Sequence, residues 1–477
     1  MPRRILGQPE IEPHAWRFTC GLKGTLTFAA ARGDTVTDVG VPASELTPIP
    51  WQRVVTFTAG AMALASIHRV TFSVLAVPFA EEFSLSMPQV GLLQSAVLCG
   101  YMFGQVPAGI IADQLGGIKV MTVGLVLWCL TTGVTPFVCI LQPGAIFAGI
   151  LVARASLGFA QSCVLPAASA TVAMWVPEEN RSRALAKIHC AYNIGNIIAL
   201  CVTPLLIKQV GWPWTLRFFS AAGLAWAAWA IVAVNGRSPP SQSAQALHNS
   251  AASTGQSSDK GQGQSSNKGQ GTSWGPLMFL CWSHIVISYG FFVFQSFIPS
   301  YLHHKGLTDL RVMGALSALP WGAAALVALM VGNLADWLHS AKGWKLVRVR
   351  LVMQAVASIG PALALMPLVV AQQHIQVPAA VTCLTAAVGL QAFCYAGFHA
   401  YIQDVAPADA GKVLGLTNSC GTVAGVLANV VAGRLAAVHN GYALLFASIV
   451  GLYLISAVTW GIFANGEDVY FPVGRSA

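Results

Sequence analysis

The chain has 477 residues, of which 55% are hydrophobic and only 9% are charged, and its mean hydropathy is +0.64. Soluble globular proteins carry about 25% charged residues, so this composition excludes a soluble enzyme and predicts a membrane protein. The net charge of +9 does not indicate nucleic-acid binding, because the basic residues flank apolar segments.

Apolar segments recur along the whole chain, and each is long enough for a membrane-spanning helix of about 20 residues. They fall into two groups of six, separated by a polar segment. The sequence therefore predicts an all-α membrane protein with twelve transmembrane helices in two six-helix halves. The predicted spans are approximately 54–79, 88–112, 119–140, 144–174, 184–209, 214–235, 274–301, 311–335, 346–371, 378–403, 411–438 and 441–464.

The polar segments set the predicted domain boundaries. The segment between the halves is rich in Ser, Gln and Gly and contains the tandem octapeptide GQSSDKGQ and GQSSNKGQ, which is typical of a flexible linker. The N-terminal tail has basic residues that hint at a transit peptide, but its acidic residues argue against one, so we interpret it as a disordered tail. The predicted domains are 1–50 (polar tail), 51–236 (first half), 237–271 (linker), 272–466 (second half) and 467–477 (C-terminal tail).

The distribution of Lys and Arg predicts the orientation in the membrane. The loops that follow odd-numbered spans contain only Lys208, Arg217, Lys305 and Arg311, whereas the other loops, the tails and the linker hold most of the basic residues. By the positive-inside rule, both termini and the linker are expected on the cytoplasmic side, or on the equivalent side of an organelle.

The two halves also share a short loop pattern. Gly109-Ile-Ile-Ala-Asp113 after the second span matches Gly332-Asn-Leu-Ala-Asp336 after the eighth. Such a weak internal repeat is typical of transporters that are built from two related halves. Asp113 and Asp336, with Lys119 nearby, are therefore candidate gating residues that bind basic groups in one conformational state. The alternative is that these aspartates lie in solvated turns.

Two arginines are predicted near the middle of the membrane. Arg69 and Arg154 each lie ten residues from the predicted outer end of their span, which is about 15 Å at 1.5 Å per residue. A buried arginine needs a partner, yet no acidic residue lies in the middle of any predicted span. The missing partner is therefore predicted to be an anionic ligand, and the alternative is pairing with freed backbone carbonyls. A third arginine, Arg434, lies near an outer helix end, where it is expected to reach the interface.

Histidines are the titratable groups that remain in the spans. His68, His284 and His399 lie in or near apolar segments, where a structural role is the first interpretation. Since no carboxylate lies at that depth, His68 and His284 are also candidates for coupling transport to protons. We expect the Arg69 cation to weaken the case for His68.

The chain resembles the major facilitator superfamily, because the segment from Gly109 to Lys119, GIIADQLGGIK, fits the loop motif of that family. More narrowly, it resembles the anion/sodium-phosphate cotransporter family that contains vesicular glutamate transporters, sialin and the plant type-4 phosphate transporters. This resemblance extends over about residues 51 to 471, without the linker. The stretches that carry it are HRVTFS from His68, VGLLQS from Val90, WVPEENRSR from Trp175, QDVAP from Gln403 and GLTN from Gly415.

The resemblance implies that Arg69 and Arg154 are substrate-binding arginines and that Tyr101 is a pocket tyrosine. It also implies that Gln94 contacts substrate, as in the plant phosphate group, and that Asn418 is a family asparagine. Four departures stand out: His68 replaces an aspartate, Gln161 a glutamate, Ile287 a basic residue, and Tyr401-Ile402 an Asn-His pair. Because glutamine does not titrate, Gln161 argues against proton symport through a carboxylate.

The sequence thus predicts an alternating-access transporter of a small anion, with inorganic phosphate as the leading substrate. An organic anion (a carboxylate, a sugar acid or ascorbate) is the first alternative, and a non-transporting sensor with the same fold is the second. We expect no enzymatic activity, no cofactor, no metal site and no nucleic-acid partner, and we take a monomer in the lipid bilayer as the default. The candidate driving forces are Na⁺, H⁺ or the membrane potential, and the candidate membranes are the plastid envelope, the vacuole and the plasma membrane.

Overall fold

The computed structural model describes residues 50–234, 274–406, 410–464 and 466. The N-terminal tail to residue 49, the linker 237–271 and the C-terminal tail 467–477 lie outside these residues, so the predictions for them are not tested. We use inner for the membrane side on which the first helix begins and outer for the side on which it ends.

The described chain is α-helical, apart from short 3₁₀ segments and loops, and eleven of its helical stretches are long and apolar enough to cross a membrane. The all-α membrane fold predicted from the sequence is confirmed. The helices are α1 (Trp51–Glu82), α2 (Met87–Leu115), α3 (Gly117–Val134), α4 (Pro143–Gln161), α5 (Val164–Trp175), α6 (Glu178–Val234), α7 (Trp274–His304), α8 (Leu310–Ser340), α9 (Leu346–Val370), α10 (Val377–Gln391), α11 (Phe398–Val405), α12 (Ala410–Ala436) and α13 (Gly441–Phe463).

Helix α6 accounts for the twelfth span, because its 57 residues cross the membrane twice. At 1.5 Å per residue a straight helix of this length would measure about 85 Å, whereas the hydrocarbon core is about 30 Å thick. The backbone reverses at Gly211, where φ is 78° and ψ is 165°. Because residues with a side chain rarely adopt this backbone conformation, glycine suits the position. The first arm of α6 is 178–210 and the second is 212–234.

Contacts with α1 show that the two arms run in opposite directions. At the outer end of α1, the Trp212 indole donates to the Glu82 carboxylate over 2.8 Å. Near the inner end, the Trp226 indole donates to the Phe57 carbonyl over 3.3 Å. The second arm therefore returns from the outer side to the inner side. The predicted spans 184–209 and 214–235 match these arms.

Two predicted spans are single in the sequence but broken in the structure. The span predicted at 144–174 divides into α4 and α5, because Pro166 in the first turn of α5 cannot donate a backbone hydrogen bond to the preceding turn. The span predicted at 378–403 divides into α10, a 3₁₀ segment and α11. Here a β-carbon at Gly397 would lie 2.8 Å from the Gln354 backbone nitrogen, and Gln354 Oε1 accepts from the Phe398 N–H over 3.2 Å.

An ion pair stabilises the second of these breaks. The Arg350 guanidinium on α9 donates to both carboxylate oxygens of Asp404 on α11, over 2.7 and 3.3 Å. It also donates to the Ala396 carbonyl over 3.2 Å, just before α11 begins. Arg350 thus joins α9 to α11 and to the turn that precedes it.

We expect the Arg350→Gln variant to be less stable than the wild type by about 1–3 kcal/mol, because Asp404 keeps its charge but loses its donor. The measurement is the thermal unfolding temperature in detergent, with size-exclusion chromatography to check aggregation. The matched control is Arg348→Gln, since Arg348 is an exposed side chain two residues away that lies against the Trp344 ring. Equal unfolding temperatures for the two variants would contradict a bracing role.

The first group of helices, α1 to α6, meets the second, α7 to α13, through close backbone contacts on the outer side. A β-carbon at Gly91 of α2 would lie 3.0 Å from the Gly433 α-carbon of α12, and one at Gly314 of α8 would collide with the Leu200 carbonyl of α6. At the same side, His303 Nε2 lies 3.7 Å from Glu81 Oε1. We call these contacts the outer seal.

Candidate substrate site

A cavity of about 230 Å³ lies between the two groups of helices. It is lined by α1, α2, α5 and α6 on one side and by α7, α8, α10, α11 and α12 on the other. Among the residues that line it, His189 and Tyr395 are exposed and belong to the inner half of the bundle. Together with the outer seal, this places the opening of the cavity on the inner side.

Arg69 lies in the middle of α1, and its charged side chain lines this cavity. One guanidinium nitrogen donates to Gln161 Oε1 over 3.2 Å, and the guanidinium lies 5.1 Å from the centre of the Tyr101 ring. Gln161 is held in turn by the Ala65 carbonyl. Among the described lining residues no Asp, Glu, Lys or second Arg is present, so Arg69 gives the cavity its positive charge.

Arg154 is placed differently from Arg69, although the sequence predicted equal depth for both. It is 4% exposed and is absent from the residues that line the cavity. Its guanidinium donates to Gln94 Oε1 over 3.3 Å and to the Leu93 carbonyl over 3.4 Å, and lies 4.2 Å from the centre of the Phe72 ring. The structure therefore joins Arg154 to Gln94 rather than directly to the cavity.

The other three predicted substrate residues lie at or near the cavity. Tyr101 and Asn418 line it from opposite groups of helices. Gln94 lines a smaller adjoining cavity that also contains Arg69. Three of the other four predicted binding residues thus lie around Arg69, and the fourth, Arg154, contacts Gln94.

The two candidate coupling histidines are separated by the structure. His284 lines the cavity, with its ring centre 5.7 Å from that of His399, which also lines it. His68 is 2% exposed and faces α3, where Nδ1 lies 2.8 Å from the Thr132 hydroxyl. Since successive residues of a helix point about 100° apart, His68 faces the protein while its neighbour Arg69 faces the cavity.

The predicted gating residues are described only in part. Lys119 and Asp336 are exposed at the inner side of the bundle. The side chain of Asp113 lies outside what the structure describes, so its pairing is not tested. The gating role of these residues stays a prediction.

Several cavity residues were missed by the sequence reasoning. His189 and Tyr192 of α6 line the cavity, and Tyr395 lies near His399 with its ring centre 5.6 Å away. Gln295 of α7 donates to the Tyr192 hydroxyl over 2.8 Å and so joins the two groups of helices. Their signal was weak, because isolated polar residues in apolar spans do not show which way they face. The described residues contain no group of His, Cys, Asp or Glu that could hold a metal ion.

Comparison with known proteins assigns the family. The model of the Major Facilitator Superfamily matches residues 58–429, which is more than half of the chain. The chain belongs to the Major Facilitator Superfamily. This facilitator is 31% identical over 438 residues to the Sodium-dependent phosphate transport protein 1, chloroplastic, of Arabidopsis thaliana. The alignment covers 91% of this chain and 83% of the relative.

A second relative of this facilitator is the chloroplastic ascorbate transporter of Arabidopsis thaliana, at 32% identity over 85% of this chain and 73% of the relative. Among solved structures, the D-xylose-proton symporter aligns with a TM-score of 0.67 at 13% identity, covering 89% of this chain and all of that chain. At this identity the structural likeness concerns the fold alone. The facilitator is thus a multi-pass membrane transporter, as the sequence predicted.

Proposed function

We propose that this facilitator transports a small anion by alternating access, with inorganic phosphate as the leading substrate. The observation that carries the proposal is the position of Arg69, which is the charged group among the described residues that line a cavity between the two halves. A guanidinium presents several N–H donors to an oxyanion. The phosphate transport protein of Arabidopsis, as a relative over most of the chain, supports the same substrate.

The proposed cycle moves the two halves against each other around Arg69. In the conformation described, the outer seal is closed and the anion exchanges with the inner side. In the opposite conformation the contacts at Gly91 and Gly314 separate, and the inner ends of α2 and α8, which carry Asp113 and Asp336, close the inner side. Tyr101 and Asn418 contact the anion from opposite halves, so that a bound anion interacts with both halves.

An organic anion is the second candidate, because the cavity is large and partly aromatic. Tyr192, Phe291 and Trp321 line it, and its volume of about 230 Å³ accommodates a ring-bearing anion. The Arabidopsis ascorbate transporter is similar to 85% of the length of the present chain. The cavity therefore supports ascorbate or another sugar-derived anion as the alternative to phosphate.

For coupling we propose Na⁺ or H⁺ as the driving ion. The placement of the histidines favours His284 over His68 as the proton-binding candidate, because His284 lines the cavity together with His399. We further propose the plastid envelope as the membrane, since the similar relatives are named chloroplastic. The positive-inside rule supports an orientation with the termini and linker on the cytoplasmic or equivalent side.

Uptake into liposomes tests the proposal. Purified protein is reconstituted, and labelled phosphate uptake is measured with a membrane potential, a sodium gradient and a pH gradient imposed separately. We expect uptake that depends on one gradient and persists in excess unlabelled ascorbate. Uptake of labelled ascorbate without phosphate uptake would instead assign an organic anion. If folded protein takes up neither anion, the transport proposal is wrong and the sensor alternative is favoured.

A further inference from the structure

A second, smaller cavity adjoins Arg69 on its outer side, and we call it the outer chamber. It is lined by Arg69, Ser73, Gln94, Gln295, Ser296 and Asn429, with apolar neighbours. Ser73 lies one helical turn beyond Arg69 towards the outer end of α1, and Asn429 lies beyond Thr422 towards the outer end of α12. Its volume of about 10 Å³ corresponds to the space for a single oxygen-sized group.

Three residues that line this chamber each carry a buried polar atom without a hydrogen-bond partner in the described part of the chain. Gln94 is 3% exposed and its Nε2 has no hydrogen-bond partner among the described residues. Asn429 is 1% exposed, and its Oδ1 is equally unpaired within the described chain. The Nε of Arg69 also lacks a partner there. Because buried polar groups are normally hydrogen-bonded, two donors and one acceptor around one small space indicate a ligand.

Arg154 fixes the direction of the Gln94 amide. Its guanidinium donates to Gln94 Oε1 over 3.3 Å, so this oxygen faces Arg154. The Nε2 group of the same planar amide then points away from Arg154, and Gln94 is the one of the two that lines the chamber. The guanidinium of Arg154 is itself held by the Leu93 carbonyl and the Phe72 ring.

We propose that the outer chamber is a subsite for one oxygen atom of the transported anion, and that Arg154 is a positioning residue that acts through Gln94. This inference rests on the proposed function. The donors Arg69 Nε and Gln94 Nε2 bind an oxygen atom of the anion, and Asn429 Oδ1 accepts a hydrogen bond from a hydroxyl group formed by that oxygen or by the oxygen next to it. The ligand class is therefore an oxyanion that bears a hydroxyl, such as monohydrogen phosphate, in preference to sulfate.

A double-mutant cycle tests the role of Arg154. We expect Gln94→Leu and Arg154→Gln each to raise the KM for uptake by about tenfold to 100-fold, as for hydrogen bonds to a charged group. If Arg154 acts through Gln94, the double variant has the KM of Gln94→Leu. If Arg154 binds the anion directly, the two effects multiply and the proposal is overturned. Arg217→Gln, near the outer end of the second arm of α6, is the control and should keep the wild-type KM.

Folding and substrate are controlled within the same experiment. Each variant is checked by size-exclusion chromatography and circular dichroism, and Gln94→Leu alone decides the subsite if Arg154→Gln fails to fold. The cycle uses labelled phosphate, or labelled ascorbate if the wild type takes up only that anion. A normal KM for Gln94→Leu refutes the subsite alone. Absence of any uptake by the folded wild type refutes the proposed function and this inference together.

Competition by sulfate tests the acceptor. We expect unlabelled sulfate to inhibit phosphate uptake at least about tenfold more weakly than unlabelled phosphate, because sulfate at neutral pH has no hydroxyl group that could donate a hydrogen bond to Asn429. In Asn429→Leu this difference should shrink, while the preference for anions stays. Equal inhibition by both anions in the wild type would show that the chamber does not select a hydroxyl-bearing oxyanion, and would overturn that assignment.

Discussion

Replacing Arg69 with glutamine is expected to lower anion uptake at least about 100-fold, because a hydrogen bond to a charged group contributes about 1.5–3 kcal/mol and Arg69 offers several. The described residues that line the cavity hold no other Arg or Lys to take its place. Uptake of labelled phosphate into liposomes measures the loss, and both KM and maximal rate are determined. The change should appear mainly in KM.

The matched control for this variant is Arg434→Gln. Arg434 is exposed near the outer end of α12, so its replacement should leave uptake within about twofold of the wild type. Both variants must elute as single species in size-exclusion chromatography. Normal uptake by a folded Arg69→Gln protein would remove Arg69 from the binding site and with it the main support for an anion substrate.

The second large effect is expected for Gly91→Val, which should trap the protein with its outer side open. A β-carbon at Gly91 would lie 2.6 Å from the Asn429 carbonyl oxygen, so the outer seal cannot close around a larger side chain. Overpacking of this kind costs about 1–3 kcal/mol, which shifts a two-state equilibrium by about fivefold to 150-fold. We therefore expect uptake to fall at least about fivefold.

Thiol labelling from the outer side distinguishes trapping from misfolding. Gln295 is buried beneath the outer seal. A Gln295→Cys substitution should therefore react with an impermeant maleimide only when it is combined with Gly91→Val, and not when it is the sole substitution. Labelling of the same protein without this cysteine corrects for native thiols. The control is Gly415→Val near the inner end of α12, where a β-carbon meets nothing within 4 Å. Equal uptake in the two variants would contradict the sealing role of Gly91.

The positions of the spans could be predicted well, because continuous hydrophobicity is a property of the sequence alone. Helix α9 was predicted at 346–371 and begins and ends within one residue of that range. The breaks before α5 and α11 could not be predicted in the same way, since both sides of each break are apolar. Only Pro166 gave a local signal, whereas the break at Gly397 depends on its contact with Gln354 of another helix.

The sequence predicted how deep the candidate residues lie in the membrane, but not which way their side chains point. Hydropathy located Arg69, Arg154 and His68 inside spans, yet the face that each side chain occupies is set by tertiary packing. Arg69 faces the cavity, whereas His68 pairs with Thr132 and Arg154 with Gln94. The absence of acidic residues at mid-depth was a sound reason to expect an anion, but it did not distinguish a direct contact from one made through a glutamine.

The outer seal is made largely of backbone, since it brings Gly91 against Gly433 and Gly314 against the carbonyl of Leu200. The residues that we propose bind the anion lie elsewhere, in the layer that contains Arg69 and Gln94. The moving surface and the selective surface therefore share few side chains. Substitutions that change the preferred anion can accumulate in one layer while the other keeps its backbone contacts, so the same conformational change suits carriers of chemically different anions.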